Sequence, residues 1–261
     1  MPGVQILLLR PVNSKAYSIN CCKPFFVGNR PGDLFNFWGS WGGGAGAGYF
    51  WDREPGLATC PDHDTSDRNN FMQEYIRKYC NTIRNRSQEN KTAFIALTKL
   101  PSIPVSPCIS LLRQELDSMV RTIYLCNLDN NQQIQELLSQ MFRGEQWHLI
   151  SAKGKKQMIR DREMVDIATN LHGWTEYVYK FGCSFIHLSN FHQYNSSDPL
   201  INLCQTDIDN IENYIQQYHG PCHSGKLNFD SIIQILPQIF DKINANLQYD
   251  IEDFEKKYPV K

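Results

Sequence analysis

Two histidines, His187 and His192, stand among aromatic residues in a stretch, residues 181–197, that contains no charged side chain. An imidazole titrates near neutral pH and can pass a proton in either direction. Beside an arginine, whose guanidinium stabilises charge on a phosphate, it is suited to cleaving a phosphodiester without a metal. The arginines placed for such a role are Arg113 and Arg121, which with Asp117 fall at i, i+4 and i+8. That spacing permits a ladder of ion pairs along one helix face. Two readings compete. In one, both histidines are neutral core groups hydrogen-bonded to their surroundings and the ladder is a solvated face, so that the chain is a binding or interaction module. In the other, His187 or His192 meets Arg113 or Arg121 in a partly enclosed cleft and the chain is a nuclease.

Lys153, Lys155 and Lys156, followed by Arg160 and Arg162, form a basic run that can touch phosphates, and the first three with Arg160 are the candidate RNA contacts. Its bland counterpart is a solvated loop before a helix. No metal site is expected. His187 and His192 are five apart, about 140° around a helix, and cannot easily share an ion. The turn His219-Gly-Pro-Cys222-His223 offers ligands without a second pair elsewhere. No cofactor is expected either, because the glycine cluster of residues 39–48 lacks the Gly-Lys-Ser/Thr ending of a phosphate loop.

The elements that must position these groups read as helices almost throughout. Phe71, Tyr75, Tyr79 and Ile83 share a face of a first helix that runs on toward Leu97. Ser106-Pro107 reads as the cap and first turn of a second helix, with Ile109, Leu112, Leu116, Met119, Ile123 and Cys126 along its apolar stripe. Asp129 and Asn130 can cap a third over residues 132–142, which Gly144 ends, and residues 161–171 form a fourth. The charge-free segment is expected to be one helix over residues 175–194, buried all round. Thr206 with Asp209 reads as a variant capping box for residues 208–218. Residues 232–254 carry a helical stripe containing Pro237, which should kink that helix or begin its second part. With short connections and no strand alternation, the expected fold is all-α: an antiparallel helical bundle over residues 71–261.

Residues 1–70 differ. They hold ten of the sixteen glycines, six of the thirteen prolines and three of the five tryptophans, with no regular period, and any strands are expected there. They read as an irregular Gly/Pro/Trp-rich extension, dispensable and disordered or not native to the working protein, with Met72 standing where helical patterning begins. The net charge of −1 gives no overall pull toward nucleic acid or anionic lipid. Nine cysteines, odd in number, read as reduced thiols of a cytoplasmic protein. No stretch reaches the roughly 18 apolar residues of a membrane span. Partners are expected to be an unidentified protein, a second copy of the chain in a homodimer, or RNA.

Arg143-Gly-Glu-Gln-Trp-His148 matches an Arg, four to six residues, His motif. With the helical body around it, the chain resembles the HEPN superfamily of bacterial helical proteins, many of which are RNases of toxin, abortive-infection and other defence systems. The resemblance covers roughly residues 72–258 and implies metal-independent RNA cleavage in a bacterial stress or phage-defence setting. Gly144 departs from the family pattern, since it breaks the helix on which that motif usually sits. The phrase 179–192 is closer to an uncharacterised bacterial all-helical family.

Overall fold

Tyr79, Cys80, Ile83 and Phe94 are buried along one side of a helix that runs unbroken from Thr65 to Thr98 (α1). The computed structural model describes residues 65–151, 154–220 and 226–258, with side chains from residue 72. Residues 1–64 of the expected extension, Lys153 and the Cys222-His223 turn lie outside them. On α1 the buried stripe is Met72, Ile76, Tyr79, Cys80 and Ile83, while Tyr75 turns aside to pack on Phe142 at 5.9 Å. The steps of three and four keep the stripe on one side of the 3.6-residue helix.

The second helix, α2 (Val105–Cys126), is the centre of the fold, packed against α1, against two later helices over residues 161–171 and 175–186, and against the last helix. Ile109, Leu112, Leu116, Met119 and Ile123 are all buried on it as the stripe requires. Its cap is Pro104, and Ser106 lies inside the first turn rather than before it. Helix α3 (Asn131–Phe142) is capped as expected: the Asn130 side chain accepts from the backbone of Gln132 and Gln133, and Gly144 takes φ 72° beyond the other end.

Two short strands follow, β1 (His148–Ile150) and β2 (Lys156–Met158), paired antiparallel with His148 opposite Met158 and Ile150 opposite Lys156. The expectation of no strand after residue 70 is corrected here: three residues a side are too few to show alternation in a sequence. Helix α4 (Asp161–Leu171) leads through His172-Gly173 to α5 (Thr175–Ile186).

The helix expected over residues 175–194 ends at Ile186. Ser189 is the reason: its hydroxyl donates to the Ser184 carbonyl at 2.7 Å and accepts from the Phe191 amide at 3.2 Å. Side-chain bonds of this kind compete with helix continuation. A 3₁₀ turn, Asn190–Gln193, then carries Phe191 back onto Phe185 and Phe181 and leaves Leu188 93% exposed. A second 3₁₀ turn, Pro199–Asn202, is pinned by Asp198, which accepts from Leu200 and from Phe229 at the start of the last helix.

Helix α6 (Gln205–His219) starts at Cys204, so Thr206 is its second residue and not its cap; Gly220, at φ 74°, ends it. Helix α7 (Phe229–Lys257) is a single element capped by Asn228, with Pro237 inside it. Phe240 stacks on Phe94 at 4.4 Å and Phe254 meets Tyr79 edge-on at 6.0 Å, which binds α7 to α1. The described residues thus form an all-α bundle of seven helices with one small hairpin.

Candidate functional site

The Arg113-Asp117-Arg121 ladder exists, with Arg113 buried and Asp117 and Arg121 half-buried. Arg113 is 6% exposed, because its side chain runs beneath α5 at Gly182. A β-carbon on that glycine would stand 2.8 Å from the β-carbon of Arg113, so only glycine lets the helices approach this closely. The guanidinium lies 3.7 Å over the ring of Tyr179, and the Tyr179 hydroxyl donates to Asp161 at 3.0 Å. Asp117 meets Arg121 at 3.1 Å, Arg113 at 3.6 Å and Arg86 at 3.7 Å. Asp161 meets Arg121 at 3.5 Å and Arg113 at 4.0 Å. The solvated salt-bridge face expected for the ladder is therefore corrected to a network that is buried at Arg113, reaches solvent at Arg86, Arg121 and Asp161, and joins α1, α2, α4 and α5. Burial works against ionisation of Asp117, but Arg121, Arg113 and Arg86 outweigh it and hold the carboxyl below its ordinary range. Burial likewise pushes the Tyr179 phenol up, so it stays a neutral donor.

The histidines lie apart from this network. His187 is the half-buried C-cap of α5, its amide donating to the Cys183 carbonyl. His192 is half-buried in the 3₁₀ turn, where its Nδ1 accepts from the Ser189 amide at 3.3 Å and its ring packs on Phe185 at 5.5 Å. Among the described residues, neither histidine has a hydrogen bond, ion pair or ring contact with Arg113 or Arg121. Arg113 and Arg121 are brought together; His187 and His192 are not brought to them.

The basic run, in contrast, is organised. Gly154 turns at φ 72° between Ser151 and Lys155, where the Ser151 amide donates to the Lys155 carbonyl at 2.9 Å and the Lys155 amide to the Ser151 hydroxyl at 3.2 Å, and Lys155 stands exposed just before β2. The antiparallel register puts His148, Ile150, Lys156 and Met158 on one face. Ile150 is 66% and Met158 39% exposed, with Lys155, Lys156 and Arg160 exposed around them. Arg160 caps α4 at the foot of the hairpin. The hairpin is anchored from beneath by Gln140, which accepts from the His148 amide at 2.8 Å and donates to its carbonyl at 3.0 Å, and by Trp147, which is buried against Tyr124 and Arg121.

Arg143 and His148, the matched motif residues, straddle this corner. Arg143 grips Glu145 through two bonds of 2.8 and 3.0 Å. The bonds from Arg143 foremost hold the exposed Glu145 carboxyl below its ordinary range. Asp161, Tyr179 and Trp147 are the residues that sequence reasoning missed, since nothing in their spacing shows them meeting Arg113 and Arg121. The signal that was present is Gly182, a glycine inside a helical segment, which often marks a close approach.

No group of three or more His, Cys, Asp or Glu placed to hold a metal occurs among the described residues, and no helix there is long and apolar enough to cross a membrane. The five described cysteines, Cys80, Cys108, Cys126, Cys183 and Cys204, are unpaired thiols, and burial pushes Cys80 and Cys126 up to about 12. Comparison with protein-family models, with curated proteins and with solved structures finds no match to this chain.

Proposed function

We propose that the chain is a helical binding module that engages RNA through the exposed face of its β-hairpin. The observation that carries this reading is the exposed hairpin face on which Lys156 stands beside Ile150, Met158 and His148, with Lys155 and Arg160 exposed on either side of β2. Among the described residues, no salt bridge neutralises those three cations. Cations free to replace counterions supply the affinity of a nucleic-acid interface, and single-stranded bases pack on flat or apolar side chains beside them. The rest of the molecule serves to hold the hairpin still, through Gln140, Trp147 and the Arg121 network. A nuclease built on Arg113 or Arg121 is less favoured, because both guanidiniums are already engaged by Asp117 and Asp161.

Binding of a fluorescent single-stranded RNA by the full chain, followed by anisotropy over a range of salt, tests the reading. Replacing Lys155, Lys156 and Arg160 together by Met is expected to weaken binding at least tenfold. It should also flatten the salt dependence by about 0.7 of a log unit per lost phosphate contact, with thermal stability unchanged. Equal binding by the variant, or no binding by the parent, would overturn it.

A second reading, that the bound RNA is also cut, draws on the Arg-x4-His match itself, whose exposed Arg143 is paired with Glu145 just before the strand that His148 begins. In that case the HEPN resemblance implies a cytoplasmic enzyme of bacterial stress or phage defence. Cleavage in the presence of a chelator that His148→Ala abolishes is its expected sign.

A further inference from the structure

On the far side of α2, a glutamate is buried without a cation in contact. Glu115 is 0% exposed and accepts from Ser87, from Asn90 at 3.0 Å and from Asn244 at 2.9 Å, groups supplied by α1 and α7. Such a carboxylate costs several kcal/mol unless its lone pairs are filled, and here neutral donors fill them. The consequence lies on the outer side of those donors. Ser87 and Asn244 also form the floor of a cleft of about 440 Å³ between α1 and α7, rimmed by Arg84, Gln88, Lys91 and Gln248.

Because the Asn244 amide group is committed to Glu115 and Ser87, its carbonyl oxygen is turned outward, where it accepts from Lys91 Nζ at 3.3 Å. Ser87 Oγ similarly accepts from Gln248 at 3.3 Å. A buried acid thus fixes the floor, and the floor fixes a lysine and an amide above it. Arg84 is neutralised by Glu255 through bonds of 2.6 and 2.7 Å. Lys91 is not: among the described residues its one hydrogen-bond partner is that amide oxygen, and the half-buried ammonium keeps two donors for a ligand.

We propose that this cleft is a binding site for a small phosphorylated ligand, its phosphate seated on Lys91 and the amides of Gln88 and Gln248. The volume falls in the range of small-molecule sites, and the polar lining suits a hydrophilic ligand. A lysine held as a point charge with amide donors beside it matches the several oxygens of a phosphate. Glu115 is set back from the cleft, behind Ser87 and Asn244, so the cation of Lys91 stands nearer the ligand than the acid does. The site is separate from the hairpin and stands whether or not RNA binds there.

Titration of the full chain with pyrophosphate, with malonate and chloride at matched ionic strength as comparators, tests this through melting temperature and calorimetry. Pyrophosphate is expected to raise the melting temperature saturably where chloride does not. Lys91→Met should weaken that binding at least tenfold, Lys91→Arg should restore part of it, and Lys99→Met, at an exposed lysine outside the cleft, should leave it unchanged. No saturable response, a response equal in Lys91→Met, or stabilisation by malonate alone would overturn the proposal.

Discussion

The guanidinium of Arg113 lies parallel in function to a core side chain: it sits 3.7 Å over the ring of Tyr179, whose hydroxyl is tied to Asp161. One residue of α2 thereby fastens α5 by its flat face and α4 by its charge. The stack on Tyr179 and the close approach of Gly182 together leave Arg113 6% exposed.

Arg113→Lys keeps the charge and loses the planar stack. We expect it to lower stability by about 1–2 kcal/mol, because an ammonium neither covers the ring nor forks between Asp117 and Asp161. Tyr179→Phe, which removes only the hydroxyl on Asp161, should cost about 1 kcal/mol. Urea unfolding of the two variants checks both, and a lysine variant as stable as the parent would show that charge alone holds α5.

Gly182→Ala should destabilise by about 1–3 kcal/mol through overpacking against Arg113. The added carbon meets the β-carbon of Arg113, close to the backbone, and cannot be relieved by moving a flexible tip. The combined Gly182→Ala, Arg113→Ala variant should lose less than the sum of the two, which a double-mutant cycle in urea measures.

Two buried acids give opposite pH dependences. Asp117 is held low by its arginines, so its contribution is present above the ordinary carboxylate pKa and is lost as pH falls through the lower folded value. Asp250, on α7, is raised to about 7 by burial and then by Asp253, and one of its oxygens has no partner. Its folded form holds the proton more tightly than the unfolded chain, so stability falls as pH rises from about 4 to about 7. Asp250→Asn should therefore raise the melting temperature relative to the parent at pH 8 and show a shrinking gain toward pH 5. A gain independent of pH would mean that Asp250 is not protonated in the fold.

His192→Ala should cost about 1 kcal/mol, the value of a turn bond, by freeing the Ser189 amide, and His187→Ala less than about 0.5 kcal/mol. Neither should alter the fate of total RNA or tRNA incubated with the protein and a chelator. Cleavage that disappears in either folded variant would instead assign the chemistry to His187 or His192 and displace the hairpin reading.

What the sequence determined by itself is the set of helices and their buried faces. Ile109, Leu112, Leu116, Met119 and Ile123 on α2, and Leu236, Phe240, Leu247 and Phe254 on α7, are legible because burial on one side of a helix imposes a 3.6-residue period that any window reveals. Asn130, Gly144 and Gly220 are legible for a local reason too, since capping is a matter of adjacent residues. What only the tertiary structure decided is which polar groups meet. Arg113 finds Tyr179 and Asp161, and Glu115 finds Ser87 and Asn244, across separations of 28 to 129 residues that no spacing records. The end of α5 belongs to the same class: residues 187–194 have no strong breaker, and it is the aromatic pocket around Phe185 that rewards turning Phe191 inward and makes the Ser189 bonds prevail over another turn of helix. Local propensity settles the elements because its causes lie within a few residues; the sites depend on contacts whose free energy exists only once the helices have packed.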